Sequence, residues 1–166
     1  MTDLSFTVAR AEDRALILAV VNRYAFNARE GLFDPNNDAV DIGDMTPLFS
    51  DDATIVLPTG QEVPAIELGN VVQGEEASYI RHHVTTVDIR FDGEDSAEVF
   101  TSFFANTDEA APDHWGHWRD EFRRLSDGSW RIHRRAIVPE GGAPGGWFHR
   151  VLVPFLKAQP LVKTAG

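Results

Sequence analysis

The sequence predicts an α+β domain, with N-terminal helices covering one side of a curved antiparallel sheet. Three observations predict it: a helical apolar stripe opens the chain, long strand-like runs fill its second half, and Asp-Gly pairs punctuate those runs.

The stripe lies between Arg10 and Glu30. Ile17, Val20, Val21, Tyr24 and Ala28 fall at spacings of three and four and so share one helix face. Tyr24 on that face is expected to meet the core or a cavity within it. Gly31 is a stop signal. Asp34-Pro35-Asn36-Asn37-Asp38 has the turn chemistry of a surface loop. Asp44 to Phe49 reads as a short helix with Asp44 as its cap. Ala53 to Leu57 reads as a strand ended by Pro58 and Gly60. Gln61 to Asn70 has no clear period, and Glu75 to Arg81 reads as a short helix.

Four strands are predicted next. They run from His83 to Phe91, from Ala97 to Asn106, from Trp115 to Leu125 and from Trp130 to Val138. Asp92-Gly93 and Asp127-Gly128 are hairpin signals. After a glycine cluster, Trp147, Phe148, Val151, Leu152 and Phe155 follow helical spacing up to and past Pro154. This divides the chain into a domain over residues 1–140 and an apolar tail over 141–166. The tail is expected to pack on a pocket mouth or on a neighbouring subunit.

Composition narrows the function classes. At 166 residues and 43% hydrophobic, the chain suits a single globular domain. No apolar run approaches the ~20 residues that cross a bilayer. The opening Met-Thr-Asp-Leu-Ser has no basic segment followed by an apolar one, so a cytoplasmic protein is expected. Without cysteine there is no disulfide, thiolate metal site or thiol nucleophile. The net charge of −11 argues against nucleic acid as a partner. No phosphate-binding glycine loop and no serine elbow is present.

The chemistry is sought among inward polar groups. Strict alternation puts His83, Thr85, Val87, Ile89 and Phe91 on one strand face and His82 on the other. His83 is therefore expected inward, where an imidazole needs a partner and can move protons near neutral pH. On the third strand Gly116, Trp118, Asp120 and Phe122 share a face. Asp120 is thus an inward carboxylate that can orient a histidine in an acid–base dyad. The bland alternative is that Asp120 pairs with a core arginine and His83 with a backbone carbonyl. At least one of Arg134 and Arg135 must point inward, to hold a substrate oxygen or to pair with an acid. Asp113, His114 and His117 invite a metal, but strand geometry points the two histidines to opposite faces, so no metal is expected.

Several phrases, in their order, carry a resemblance. They are Ala15-Leu16-Ile17 to Tyr24-Ala25, Leu48-Phe49-Ser50-Asp51-Asp52-Ala53, His82-His83-Val84-Thr85, Gly116-His117-Trp118-Arg119-Asp120-Glu121-Phe122, and Asp127-Gly128-Ser129-Trp130-Arg131-Ile132 with Arg134-Arg135. Together the chain resembles the SnoaL-like proteins of the nuclear-transport-factor-two-like superfamily. The resemblance implies a cone-shaped, strongly bent sheet around the helices, with an internal pocket. It implies a lyase or isomerase of dehydratase or polyketide-cyclase type, working without a cofactor on a small apolar cyclic or polyketide-like molecule. It implies His83 as the base, with Tyr24 and Arg135 against the substrate. Trp118, on the face of Asp120, is a further expected substrate contact, and the exposed outer face of such a sheet suits a homodimer or homotrimer. Such members carry an aspartate near the end of the first helix, paired with the histidine. Here Asn27-Ala28-Arg29-Glu30 stands there, with Arg29 at the aspartate's place, so Asp120 or Glu30 would have to substitute. The same fold also serves as a plain binding module or as the small subunit of ring-hydroxylating dioxygenases.

Overall fold

The protein is described from a computed structural model over residues 10–27, 46–70 and 77–158. The expected loop at Asp34 to Asp38, the signals at Gly31 and Asp44, and Ala28, Arg29 and Glu30 lie outside the described residues.

Helix α1 spans Ala11–Asn27. It buries Asp13, Ile17, Val21 and Tyr24 and leaves Leu16, Leu18 and Phe26 outside. Its first turn is fastened to the sheet. Asp13 accepts bonds from Trp130 Nε1 at 3.0 Å and Arg10 Nε at 2.8 Å, and pairs with Arg124 at 2.9 Å. Arg10 also donates to the carbonyls of Gly93 and Glu94.

A 3₁₀ turn, Thr46–Leu48, leads into β1 (Phe49–Val56). Then come β2 (Glu62–Pro64) and a second 3₁₀ turn (Ala65–Asn70). The long strands are β3 (Ile80–Phe91), β4 (Ser96–Thr107), β5 (His114–Arg124) and β6 (Trp130–Gly142). A π-helical turn (Phe148–Leu152) and α2 (Val153–Ala158) follow. The expected helix ending at Arg81 is corrected at its described end. Ile80 and Arg81 are strand, because they pair with Thr107 and Asn106 of β4.

The strands form one six-stranded sheet in the order β2-β1-β6-β5-β4-β3. The sheet is mixed, since β1 runs parallel to β6. Its inner face and α1 enclose one core, built on Ile17, Val21, Ile55, Val99, Phe103, Trp118, Phe122 and Ile132. Trp147, Phe148 and Ala77 form a smaller second cluster. Among the described residues, no helix is long and apolar enough to cross a membrane.

Two of the sheet's irregularities, one in β3 and one in β6, decide the site. In β3 the ladder runs from Val84 opposite Phe103 to Thr86 opposite Ser102. Thr85 is the surplus residue, and its hydroxyl donates to the Ser102 carbonyl at 3.2 Å. In β6 the pairing steps from Arg134 opposite Glu121 to Ile132 opposite Phe122, leaving His133 surplus. A bulge resets the in–out alternation of everything beyond it.

Candidate active site

The β3 bulge overturns the expected orientation of the two histidines. Val87, Ile89 and Phe91 do face inward, but the extra Thr85 interrupts the count. Opposite partners share a face, so His82 follows buried Ala105 inward and His83 follows Phe104 outward. The His83 ring stacks on Phe104 at 4.6 Å, and its Nε2 lies 3.4 Å from Asn106 Nδ2. Both histidines border an open cleft of about 450 Å³ between α1 and the start of β3. Only His82 projects onward among the core aromatics. Its ring lies 5.1 Å from Phe103, 5.4 Å from Trp118 and 6.0 Å from His114.

The β6 bulge likewise brings Arg135 onto the face of Trp130 and Ile132, opposite Asp120. Strict alternation would have put Arg134 there. Arg134 instead meets Glu62 on the outside, at 3.2 Å.

Asp120 and Arg135 are fully buried and bonded in a fork. Nε donates to Oδ1 at 2.7 Å and Nη2 to Oδ2 at 2.6 Å. The dyad of His83 with Asp120 therefore does not form: the carboxylate is taken by the arginine and the histidine faces away. Burial pushes the Asp120 carboxyl upward, while the charge and bonds of Arg135 pull it back. Burial works against the charge on Arg135, but the charge and bonds of Asp120, with Tyr24 adding to them, together outweigh it and keep the guanidinium protonated. The guanidinium carbon lies 3.8 Å from the Tyr24 ring centroid and 4.4 Å from that of Trp118. So Tyr24, Trp118, Asp120 and Arg135 converge, with His82 beside them in place of His83.

Two buried nitrogens in this interior make no hydrogen bond among the described residues: His82 Nδ1 and Arg135 Nη1. Part of the His82 residue retains surface, but its Nδ1 is sealed from solvent. Burial, followed by the nearby His114, Arg135 and His83, pushes its pKa down to about 3. The imidazole is thus neutral near pH 7.

Asp113 and His114, which the sequence offers only as metal ligands, form a pair of their own. His114 continues the face of Gly116, Trp118 and Asp120, two residues further back. Its Nδ1 is 2.8 Å from Asp113 Oδ1. Asp113 is fully buried and also accepts from Thr107 Oγ1 and the Phe148 amide, each at 3.1 Å. His114 stacks on Phe148 at 5.6 Å and lies 5.9 Å from Trp147. The parity of β5 was the available signal. Among the described residues no group of three or more metal-binding side chains is assembled.

The fold fits what the chain matches. A family model described as the SnoaL-like domain matches residues 9–136. The chain belongs to the SnoaL-like family. Solved structures agree on the fold. A type 2 hexachlorocyclohexane dehydrochlorinase (LinA) superimposes with a TM-score of 0.63 at 15% identity, over 83% of this chain and 92% of that one. A conserved protein from Planctomyces limnophilus gives 0.61 at 19%, over 78% and 98%. A protein provisionally named a scytalone dehydratase, from Novosphingobium aromaticivorans, gives 0.53 at 18%, over 88% and 95%. No curated protein matches the chain in sequence. The SnoaL-like match ends before Gly142, so the tail bearing Trp147 and Phe148 lies outside it.

Proposed function

We propose that this SnoaL-like protein is a cofactor-free lyase or isomerase, dehydratase- or cyclase-like in its chemistry. It would act by histidine-mediated proton transfer on a small apolar cyclic or polyketide-like molecule bearing a carbonyl or hydroxyl oxygen. The reading extends to a cytoplasmic homodimer or homotrimer.

One observation carries the reading. An aromatic interior holds two unpartnered buried nitrogens, His82 Nδ1 and Arg135 Nη1. Buried polar atoms without partners are costly and rare, and their natural complement is a ligand oxygen. The aromatic rings of Tyr24, Trp118 and Phe103 make the surroundings of these atoms apolar. A cation fixed in a low-dielectric site stabilises negative charge developing on a carbonyl oxygen, which is what removal of an adjacent proton creates. The dehydrochlorinase and dehydratase names among the fold's neighbours lend further support.

The test is deuterium exchange. A panel of cyclic and polyketide-like ketones in heavy water is followed by proton NMR. The wild-type protein is expected to exchange protons next to the carbonyl of at least one compound. His82→Gln is expected to lower the rate by ~10²–10³-fold, as for loss of one oxyanion donor. No exchange with any ketone bound by the protein would refute the reading.

A second reading is favoured by one fact: no carboxylate contacts His82 among the described residues, which suits a binding module. Its signature is a ketone that binds with micromolar affinity and exchanges no proton.

A further inference from the structure

A proton-transfer site needs an acceptor whose charged form is stabilised, and His82 is badly placed for that task. Its ring sits among Phe103, Trp118 and His114, close to the Arg135 cation. Among the described residues, a second positive charge there would have no counter-ion. His114 is in the opposite situation. Its Nδ1 is held by a fully buried carboxylate at 2.8 Å, and its ring faces His82 edge-on at 6.0 Å. Resting on the function proposed above, we infer that His114, held by Asp113, is the proton acceptor of this site. His82 then serves as a neutral hydrogen-bond donor beside Arg135.

The roles follow from hydrogen-bond chemistry. Asp113 as a carboxylate can only accept, so His114 Nδ1 carries the hydrogen and Nε2 the lone pair. Nε2 has no partner among the described residues. Asp113 is itself fixed by Thr107 Oγ1 and the Phe148 amide, so the ring is held in one orientation. Gly142 and Gly146 allow this closeness, since a Cβ at either would collide with Phe148 or Asp113. Asp113 thus does for His114 what a helix carboxylate would do for the β3 histidine, from the residue next door.

The Nε2 lone pair forms an N–H bond as the C–H bond beside the carbonyl breaks. That electron pair moves onto the carbonyl oxygen, held by Arg135 and His82. Return of the proton to another carbon completes an isomerisation. Departure of a β-substituent with its bonding pair completes an elimination. Of the titratable groups facing His114, Asp113 precedes it in the chain and bonds it, and His82 of β3 faces its ring; Trp147 and Phe148 from the tail bring no charge. Burial lowers the His114 pKa on balance, and the bond and charge of Asp113 oppose it in part.

Two measurements test the assignment. In heavy-water exchange, His114→Gln is expected to lose ~10²–10⁴-fold, the usual worth of a positioned base. In ¹⁵N-histidine NMR of the wild-type protein, His114 is expected as the Nδ1–H tautomer, protonating at higher pH than His82. The NMR arm needs no variant to fold. Full exchange by His114→Gln, an Nε2–H tautomer at His114, or protonation of His82 first would each overturn the assignment. Absence of exchange in the wild type would instead bring down the lyase/isomerase reading, and the acceptor role with it.

Discussion

If Asp120 exists to hold Arg135, removing it must cost far more than removing both. Asp120→Leu leaves a fully buried guanidinium without its two bonds of 2.7 and 2.6 Å. Stripping one partner from such a pair costs ~3–5 kcal/mol, because the remaining charge stays desolvated. In a domain of this length each kcal/mol moves the melting temperature by ~2–4 °C, so a fall of ~6–20 °C is expected. Arg135→Met alone leaves a buried carboxylate and is expected to cost about as much. The double variant Asp120→Leu/Arg135→Met removes both charges and keeps apolar volume. It is expected within ~1–2 kcal/mol of the wild type, since replacing a whole buried pair is often neutral. Urea denaturation of the four proteins, followed by tryptophan fluorescence, gives the coupling energy directly. A single Asp120→Leu that costs less than ~1 kcal/mol would refute the argument, because the guanidinium would then have found water or another partner. Singles whose costs simply add in the double variant would refute it equally.

Other expectations follow from the same geometry. Burying His82 neutral depresses its pKa from 6.5 to about 3. Its contribution is therefore full above pH 6.5 and erodes as pH falls from there towards 3, by at most ~1.4 kcal/mol per pH unit, and His82→Gln should flatten this part of the stability profile. Asp13 has a lowered pKa, chiefly through its bond from Trp130. It stabilises above the ordinary aspartate range and less as pH drops through its own value; Asp13→Asn should cost ~1–3 kcal/mol near pH 7 in a denaturant titration and lose that acid dependence. A Cβ at Gly116 would overlap the Val138 carbonyl. Gly116→Ala is expected to lose ~1–3 kcal/mol by overpacking, and an unchanged urea midpoint would show that β5 and β6 can part there.

Much of the fold was legible because it rests on periodicity. The stripe of Ile17, Val21 and Tyr24 and the alternation of β4 survive folding unchanged, since each element buries one face throughout. The inward acid Asp120 was legible for the same reason: β5 keeps its parity from His114 to Phe122. Strict alternation fails for the histidine because β3 is irregular between Val84 and Thr86. No residue near Val84-Thr85-Thr86 marks a bulge as Gly would, so nothing local announced it. The same holds for His133, whose surplus position turns Arg135 rather than Arg134 to the core.

The sequence by itself determined the α+β class, the face of each regular element and the residue types that could do chemistry. Each of these follows from side-chain spacing within one segment. The tertiary structure alone decided which histidine turns inward, which carboxylate is consumed by the arginine and which one remains beside an imidazole. Those outcomes depend on register between strands, where one unpaired residue reverses every side chain beyond it. They also depend on charge neutralisation in the core, a property of several elements at once. His114 became conspicuous only when Phe148, 34 positions later in the chain, folded back to fasten its aspartate.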